Sequence, residues 1–271
     1  MLECVVNVSE GRDPVVIALL VAAGGRCLLD VHSDAHHHRS VLTLAGPGEA
    51  VEAAAWAVTA EAVARLDLRS HVGVHPRLGV VDVVPFVPLE GSTIDVAVAA
   101  RDRFLAWAAD ELGLPGFAYG PPPERSLPEV RRSAFAGLAP SAGPPRPHPT
   151  AGAVCVGARP VLVAYNVWLA EGVGVDEARR VAAAVRRPGV VRALGLDVGG
   201  RAQVSMNLIA PSAVGPAEAF DAVRALVAVD GAELVGLLPA AVLEAVAPAR
   251  WGELDLARSR TIEARLRDQP G

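Results

Sequence analysis

Apolar positions fall into strand-length runs that alternate with longer helical stretches along most of the chain. Glu3 to Val8 (ECVVNV) predicts a first strand, followed by the polar loop Ser9-Glu10-Gly11-Arg12. Asp13-Pro14 predicts a helix start, with Asp as N-cap and Pro in the first turn, and Gly24-Gly25 predicts its end. Cys27 to Val31 and Ser40 to Leu44 read as two more buried strands. Residues 47–66 form an alanine-rich helical stretch expected to bury Trp56 and Val63. Val80 to Val87 is again strand-like, and Ser92 with Asp95 has the form of a capping box for a helix ending at Gly113.

The later half repeats this order without repeating the residues. Val161 to Leu169 predicts a strand and Val175–Arg186 a helix. Val190–Leu196 and Gln203–Ile209 predict a hairpin around Gly199-Gly200. A helix over Pro216–Val229 and a strand over Ala232–Gly236 follow, and residues 251–268 suggest a closing amphipathic helix. The βαββαβ order, met twice, implies an α/β (α+β) fold of two ferredoxin-like sandwiches. The expected division is 1–160 and 161–271, with the proline-rich strip 121–152 as the connection. A cleft between two such units is a usual place for a ligand.

Composition narrows the chemistry. All 25 basic residues are arginine, which excludes a Schiff-base lysine, a pyridoxal anchor and a P-loop lysine. Anions must be held by arginine or backbone N–H groups. A net charge of −5 without any basic run argues against nucleic acid as partner. No apolar run reaches the ~18 residues of a membrane span, and the start MLECVV lacks the order of a secretory signal. Cys4, Cys27 and Cys155 are far apart with no CxxC pair, which fits a reduced cytoplasm rather than a disulfide framework.

The densest chemistry lies in His71–Pro88, HVGVHPRLGVVDVVPFVP, and in His32-Ser33-Asp34-Ala35-His36-His37-His38-Arg39. All seven histidines precede residue 150. Three readings compete for them. His71 and His75 have the spacing of a zinc pair, but Gly73 and Pro76 oppose the helix that such a pair needs. Alternatively, histidines beside prolines or in a surface run satisfy turn carbonyls, the reading applied to His36, His32 and His71. In the third, His75, fixed by Pro76 and flanked by Arg77, shuttles a proton near neutrality. Spacing alone leaves the three open.

HVGVHPRLGVVDVVPFVP resembles the signature of the formiminotransferase domain family. Further likenesses run in the family's order: Glu3-Cys4-Val5, Asn7, Ser9-Glu10-Gly11, Arg39-Ser40-Val41, Gly152-Ala153, Gly157-Ala158-Arg159, Ala164-Tyr165-Asn166, Gln203-Val204-Ser205, Asn207-Leu208 and Glu233-Leu234-Val235-Gly236-Leu237 with Pro239. The resemblance implies N- and C-terminal formiminotransferase subdomains. It also implies transfer of the formimino group of N-formimino-L-glutamate to N5 of tetrahydrofolate, the co-substrate, in histidine breakdown, with no metal. It makes His75 the catalytic acid/base, with Asp34, Arg77 and Asp82 in support. Gly143, Pro144, Arg146, His148, Pro149, Thr150 and Gly152 match its folate-contacting segment. The substrates' carboxylates would be held by arginines: Arg39 and Arg159, with Arg77 and Arg146 as further candidates. A homodimer is compatible with the family. Within the same class, formyl transfer from formylglutamate is an alternative; from other classes, a metal-dependent formiminoglutamate hydrolase or a folate-binding protein without turnover. Some members carry aspartate at the place of His32, asparagine at that of His38, and Asp-Phe-Gly-Pro where Ser141-Ala142-Gly143-Pro144 stands here.

Overall fold

Alternation in LECVVNV sends Cys4, Val6 and Val8 to one side of the first strand, β1 (Leu2–Val8), where all three are fully buried. In the computed structural model, which describes residues 1–122 and 124–269, that side faces helices. Asp13 caps helix α1 (Pro14–Gly24), accepting from Val15 and Val16 N–H at 2.8 and 3.2 Å, as its sequence predicts. Strands β2 (Leu28–Asp34) and β3 (Arg39–Gly46) follow, then α2 (Gly48–Arg65), β4 (Val81–Pro88) and α3 (Ile94–Leu112). Helix α3 starts behind Thr93 without a side-chain cap, so the expected Ser92–Asp95 box is not formed. Trp56 and Val63 are half-buried rather than buried, and the Trp56 ring stacks on Trp107 of α3 at 5.2 Å.

The strip 121–152 is more than a connection. After β5 (Gly116–Tyr119) it carries helix α4 (Leu127–Ser133) and leads into β6 (Val154–Ala158). Ser126 and Glu129 form a capping box that opens α4. Val130 then drops into a second small core with Val83, Phe117, Tyr119, Ala153 and Cys155. The first sheet has the order β2-β3-β1-β4-β6-β5, antiparallel from β2 to β4 and parallel beyond. Its β2-β3-β1-β4 part is the ferredoxin-like arrangement that the βαββαβ order implies.

The chain divides into two compact units, Met1–Pro160 and Val161–Gly271. The second has β7 (Val163–Leu169), α5 (Val175–Val185), β8 (Val191–Val198), β9 (Arg201–Leu208), α6 (Pro216–Arg224) and β10 (Val229–Val235). Its sheet order, β10-β7-β9-β8, is the same arrangement again. Gly199 and Gly200, both at positive φ, make the two-residue turn between β8 and β9. Helix α6 stops at Arg224, five residues short of expectation, and β10 starts three residues early. In place of the expected closing helix over 251–268 stand a 3-10 turn at Arg258–Arg260 and α8 (Ile262–Arg267); a short helix, α7 (Ala240–Glu244), and a 3-10 turn at Pro248–Arg250 precede them.

Helix α5 lies hard against β8 at Gly195, where a Cβ would run into the backbone of Ala178 and Arg179. Gly195→Ala is therefore expected to cost about 1–3 kcal/mol, the usual range for overpacking. Urea denaturation checks this; an unchanged midpoint would mean that the helix is not pressed onto the sheet there.

Candidate active site

Two polar turns meet at one end of the first sheet. In the β2–β3 turn, Asp34 Oδ1 accepts from His36 and His37 N–H at 2.8 and 2.7 Å, and His37 Nδ1 lies 3.2 Å away. The His37 hydrogen bond holds the Asp34 carboxyl well below the usual carboxylate range. His38 adopts a left-handed backbone, φ 52°, and its ring stacks on His71 with centroids 4.2 Å apart. His71 Nε2 is 2.9 Å from the His38 carbonyl, and Gly73 passes so close to the His37 carbonyl that no Cβ fits. Arg77 wraps the second turn from inside, donating to the carbonyls of His71, Gly73 and His75 at 2.8–3.1 Å.

Beyond this turn the β1–β4 register slips. Asn7 faces Val83 but Val8 faces Val81, so Asp82 is the extra residue of a bulge. Asp82 is 1% exposed. Its Oδ1 accepts from Leu78 N–H at 2.8 Å, and its Oδ2 takes Arg39 Nη1 at 3.3 Å and Arg131 Nη2. Arg39, on β3, also donates to Asn7 Oδ1 from Nε at 3.0 Å and from Nη2. Arg131 comes from α4 and also donates to the Pro76 carbonyl at 2.8 Å. Two guanidiniums around one carboxylate leave an excess of positive charge.

His75 stands against that charge. Arg39 Nη1 is 2.5 Å from its Nδ1 and 2.9 Å from its Nε2, and Nδ1 is also 2.7 Å from the Pro76 carbonyl. Burial, then the Arg39 and Arg131 charges, push the imidazole pKa down to about 2, so the ring is neutral at physiological pH. Burial also lowers Arg39, to about 10, which leaves it charged. Ser9, His37, His38, Arg39, His71, His75 and Arg77 line a tight, narrow crevice.

The residues singled out in the sequence therefore separate. Arg39, His75 and Asp82 come together. Asp34 is engaged in its own turn and reaches the group only through His37, whose ring centroid is 6.3 Å from that of His75. Arg77, a candidate carboxylate ligand, donates to three loop carbonyls. Arg159 leaves the sheet beside Phe86, four residues along β4 from Asp82 and so roughly 13 Å away. Its Nη1 bonds the Pro160 carbonyl at 3.0 Å. Gly143, Pro144, Arg146 and Pro149 are exposed, and Thr150 is half-buried. His148 closes a turn, its Nδ1 accepting from Ala151 N–H at 3.0 Å. Gly152, φ 73°, packs against Leu78 and Gly79, which ties the end of segment 143–152 to the exit of the His75 loop. Sequence reasoning missed Arg131; the only signal was the Ser126–Glu129 capping box that starts its helix. Among the described residues no three His, Cys, Asp or Glu side chains are placed to hold a metal ion.

Residues 1–159 match the model of the formiminotransferase domain, N-terminal subdomain. This chain belongs to the formiminotransferase family. It is 36% identical to a glutamate formimidoyltransferase of Streptococcus pyogenes serotype M1, over 91% of this chain and 92% of that protein. It is 31% identical to one of Thermoplasma acidophilum, over 91% of each. The formimidoyltransferase-cyclodeaminase of Sus scrofa is 35% identical, but this chain spans only 52% of it.

Imidazoles depressed by burial give this formiminotransferase a defined response to acid. His75, His38 and His71 all lie below the ordinary value of 6.5, so the unfolded chain binds more protons than the folded one. Their contribution to stability is full above 6.5 and is lost as pH falls toward the folded values. Urea midpoints are expected to be lower at about pH 5 than at about pH 7.5, with a smaller drop in His75→Gln. An equal drop in the variant would show that His75 does not titrate differently on folding.

Proposed function

We propose that this chain is a glutamate formimidoyltransferase that moves the formimino group of N-formimino-L-glutamate to N5 of tetrahydrofolate. The observation that carries the mechanism is the neutral His75 imidazole set against the Arg39 guanidinium. In this reading the N5 lone pair attacks the formimino carbon and His75 takes the N5 proton. The tetrahedral centre then collapses, the bond from carbon to the glutamate nitrogen breaks, and the imidazolium returns the proton to that nitrogen. The products are N5-formiminotetrahydrofolate and glutamate.

A pKa near 2 is too low for a base at neutral pH. The donor supplies the correction, because it carries two carboxylates and the folate tail carries more. A carboxylate beside Arg39 offsets the charge that depresses His75 and raises its basicity toward the working range. Arg39 is therefore assigned to donor binding, and segment 143–152, joined to Leu78–Gly79, to folate. We further assign the chain to the cytoplasm. Its three cysteines are free and buried and, among the described residues, no helix is long and apolar enough to cross a membrane. A homodimer fits the same reading.

The deciding assay follows tetrahydrofolate with formiminoglutamate, beside formylglutamate, with and without chelator. Turnover of formiminoglutamate that is indifferent to chelator is expected. Preference for formylglutamate, or activity lost on chelation, would replace the reading. His75→Ala is expected to lower kcat by ~10²–10⁴ while folate binding survives, as for removal of a general acid–base. A variant that turns over normally would remove His75 from its role.

A further inference from the structure

The Pro76 carbonyl oxygen receives two donors. His75 Nδ1 is 2.7 Å from it and Arg131 Nη1 2.8 Å. A guanidinium nitrogen can only donate, so Arg39 Nη1, 2.5 Å from Nδ1 and 2.9 Å from Nε2, needs a lone pair on one of them, and only a lone pair on Nε2 also leaves Nδ1 a proton for the Pro76 carbonyl. Nδ1 already faces an acceptor in Pro76. The proton therefore belongs on Nδ1 and the lone pair on Nε2.

Arg131 is well placed to enforce this arrangement. Val130, next to it, is fully buried among Phe117, Tyr119 and Cys155, which fixes the rotation of α4. One arm of the Arg131 fork holds the Pro76 carbonyl and the other holds Asp82, whose second oxygen takes Leu78 N–H. The backbone from Pro76 to Leu78 is thus tied at both ends to one guanidinium–carboxylate pair. Arg131 Nε is buried with no acceptor, a cost that the contacts of the two terminal nitrogens must offset.

We propose that Arg131 is a positioning residue of the transfer reaction: it anchors the Pro76 carbonyl that holds His75 Nδ1–H, and so keeps the lone pair on Nε2, which Arg39 meets in the free protein and releases to the reaction when a donor carboxylate engages that guanidinium. The proposal rests on the reading of His75 as the proton shuttle. It gives the Pro76 carbonyl, braced by an arginine, the orienting task that a buried carboxylate performs for other catalytic histidines. When the brace is gone the carbonyl can turn away. The ring can then carry its proton on Nε2, with no lone pair at the reacting nitrogen. A lysine at 131 could hold one acceptor but not both, because it lacks the planar fork.

The test uses the whole chain as wild type, Arg131→Gln and Arg131→Lys. Long-range ¹⁵N–¹H correlation spectra report the tautomer of His75, whose signals are assigned by their loss in His75→Gln. Steady-state kinetics with formiminoglutamate and tetrahydrofolate run in parallel. The wild type is expected to show Nδ1–H. Arg131→Gln is expected to show a mixture or Nε2–H, with kcat lowered ~10–100-fold and KM for formiminoglutamate within about threefold, as for loss of a supporting partner. Arg131→Lys should fall between the two. Nε2–H in the wild type would overturn the proposal without any variant having to fold. So would an Arg131→Gln protein that keeps Nδ1–H and full kcat, or one whose losses lie only in KM or melting temperature. The tautomer is read without substrate, so the two ideas fail separately. Transfer with no tautomer change in the variant would remove the role of Arg131; a tautomer change in the variant, beside a wild type that transfers nothing, would remove the assigned reaction.

Discussion

A single buried carboxylate organises the candidate site. Asp82 stands at the bulge where β4 begins, and it faces two guanidiniums and one backbone N–H. A carboxylate so enclosed is stable only while its partners stay, since removing one leaves a buried charge uncompensated. The arrangement thereby draws together β1 through Asn7, β3 through Arg39, α4 through Arg131 and the His75 loop through Leu78. Four stretches of chain distant in sequence share one electrostatic knot, and the imidazole lies at its edge.

That knot also sets the chemistry. A surplus guanidinium charge beside a half-buried ring makes the free protein a poor base and a good receptor for carboxylates. In the proposed reaction, the feature that silences His75 without substrate also recruits the donor whose charge restores it. Coupling of basicity to donor binding follows from the charge count alone, with no conformational change required.

The two ferredoxin-like orders were legible because strand and helix runs in this chain differ in length and are punctuated by Asp13-Pro14, Gly24-Gly25 and Gly199-Gly200. The density of titratable residues in the His75 loop was legible from residue types, whereas the role given to His75 came only from the family resemblance. What was not legible follows from contacts between distant residues. The density of proline and glycine in 121–152 concealed α4, a helix of seven residues held by Val130 and one capping box. Arg131 meets Asp82 across 49 residues, and no local pattern signals that pairing. Asp82 turns toward Arg39 only because of a register slip, which hydrophobic alternation does not reveal. Asp34, Arg77 and His148 carry the right chemical types, but each is engaged by nearby backbone or by its own turn.

The chemistry of the site turns on the charge state of one ring. An NMR titration of the His75 Cε1 proton in the unliganded protein measures it directly. With a pKa of about 2, the signal should not move between about pH 8 and about pH 5. A titration centred near the ordinary imidazole value of 6.5 would contradict the claim that Arg39 and Arg131 hold His75 neutral.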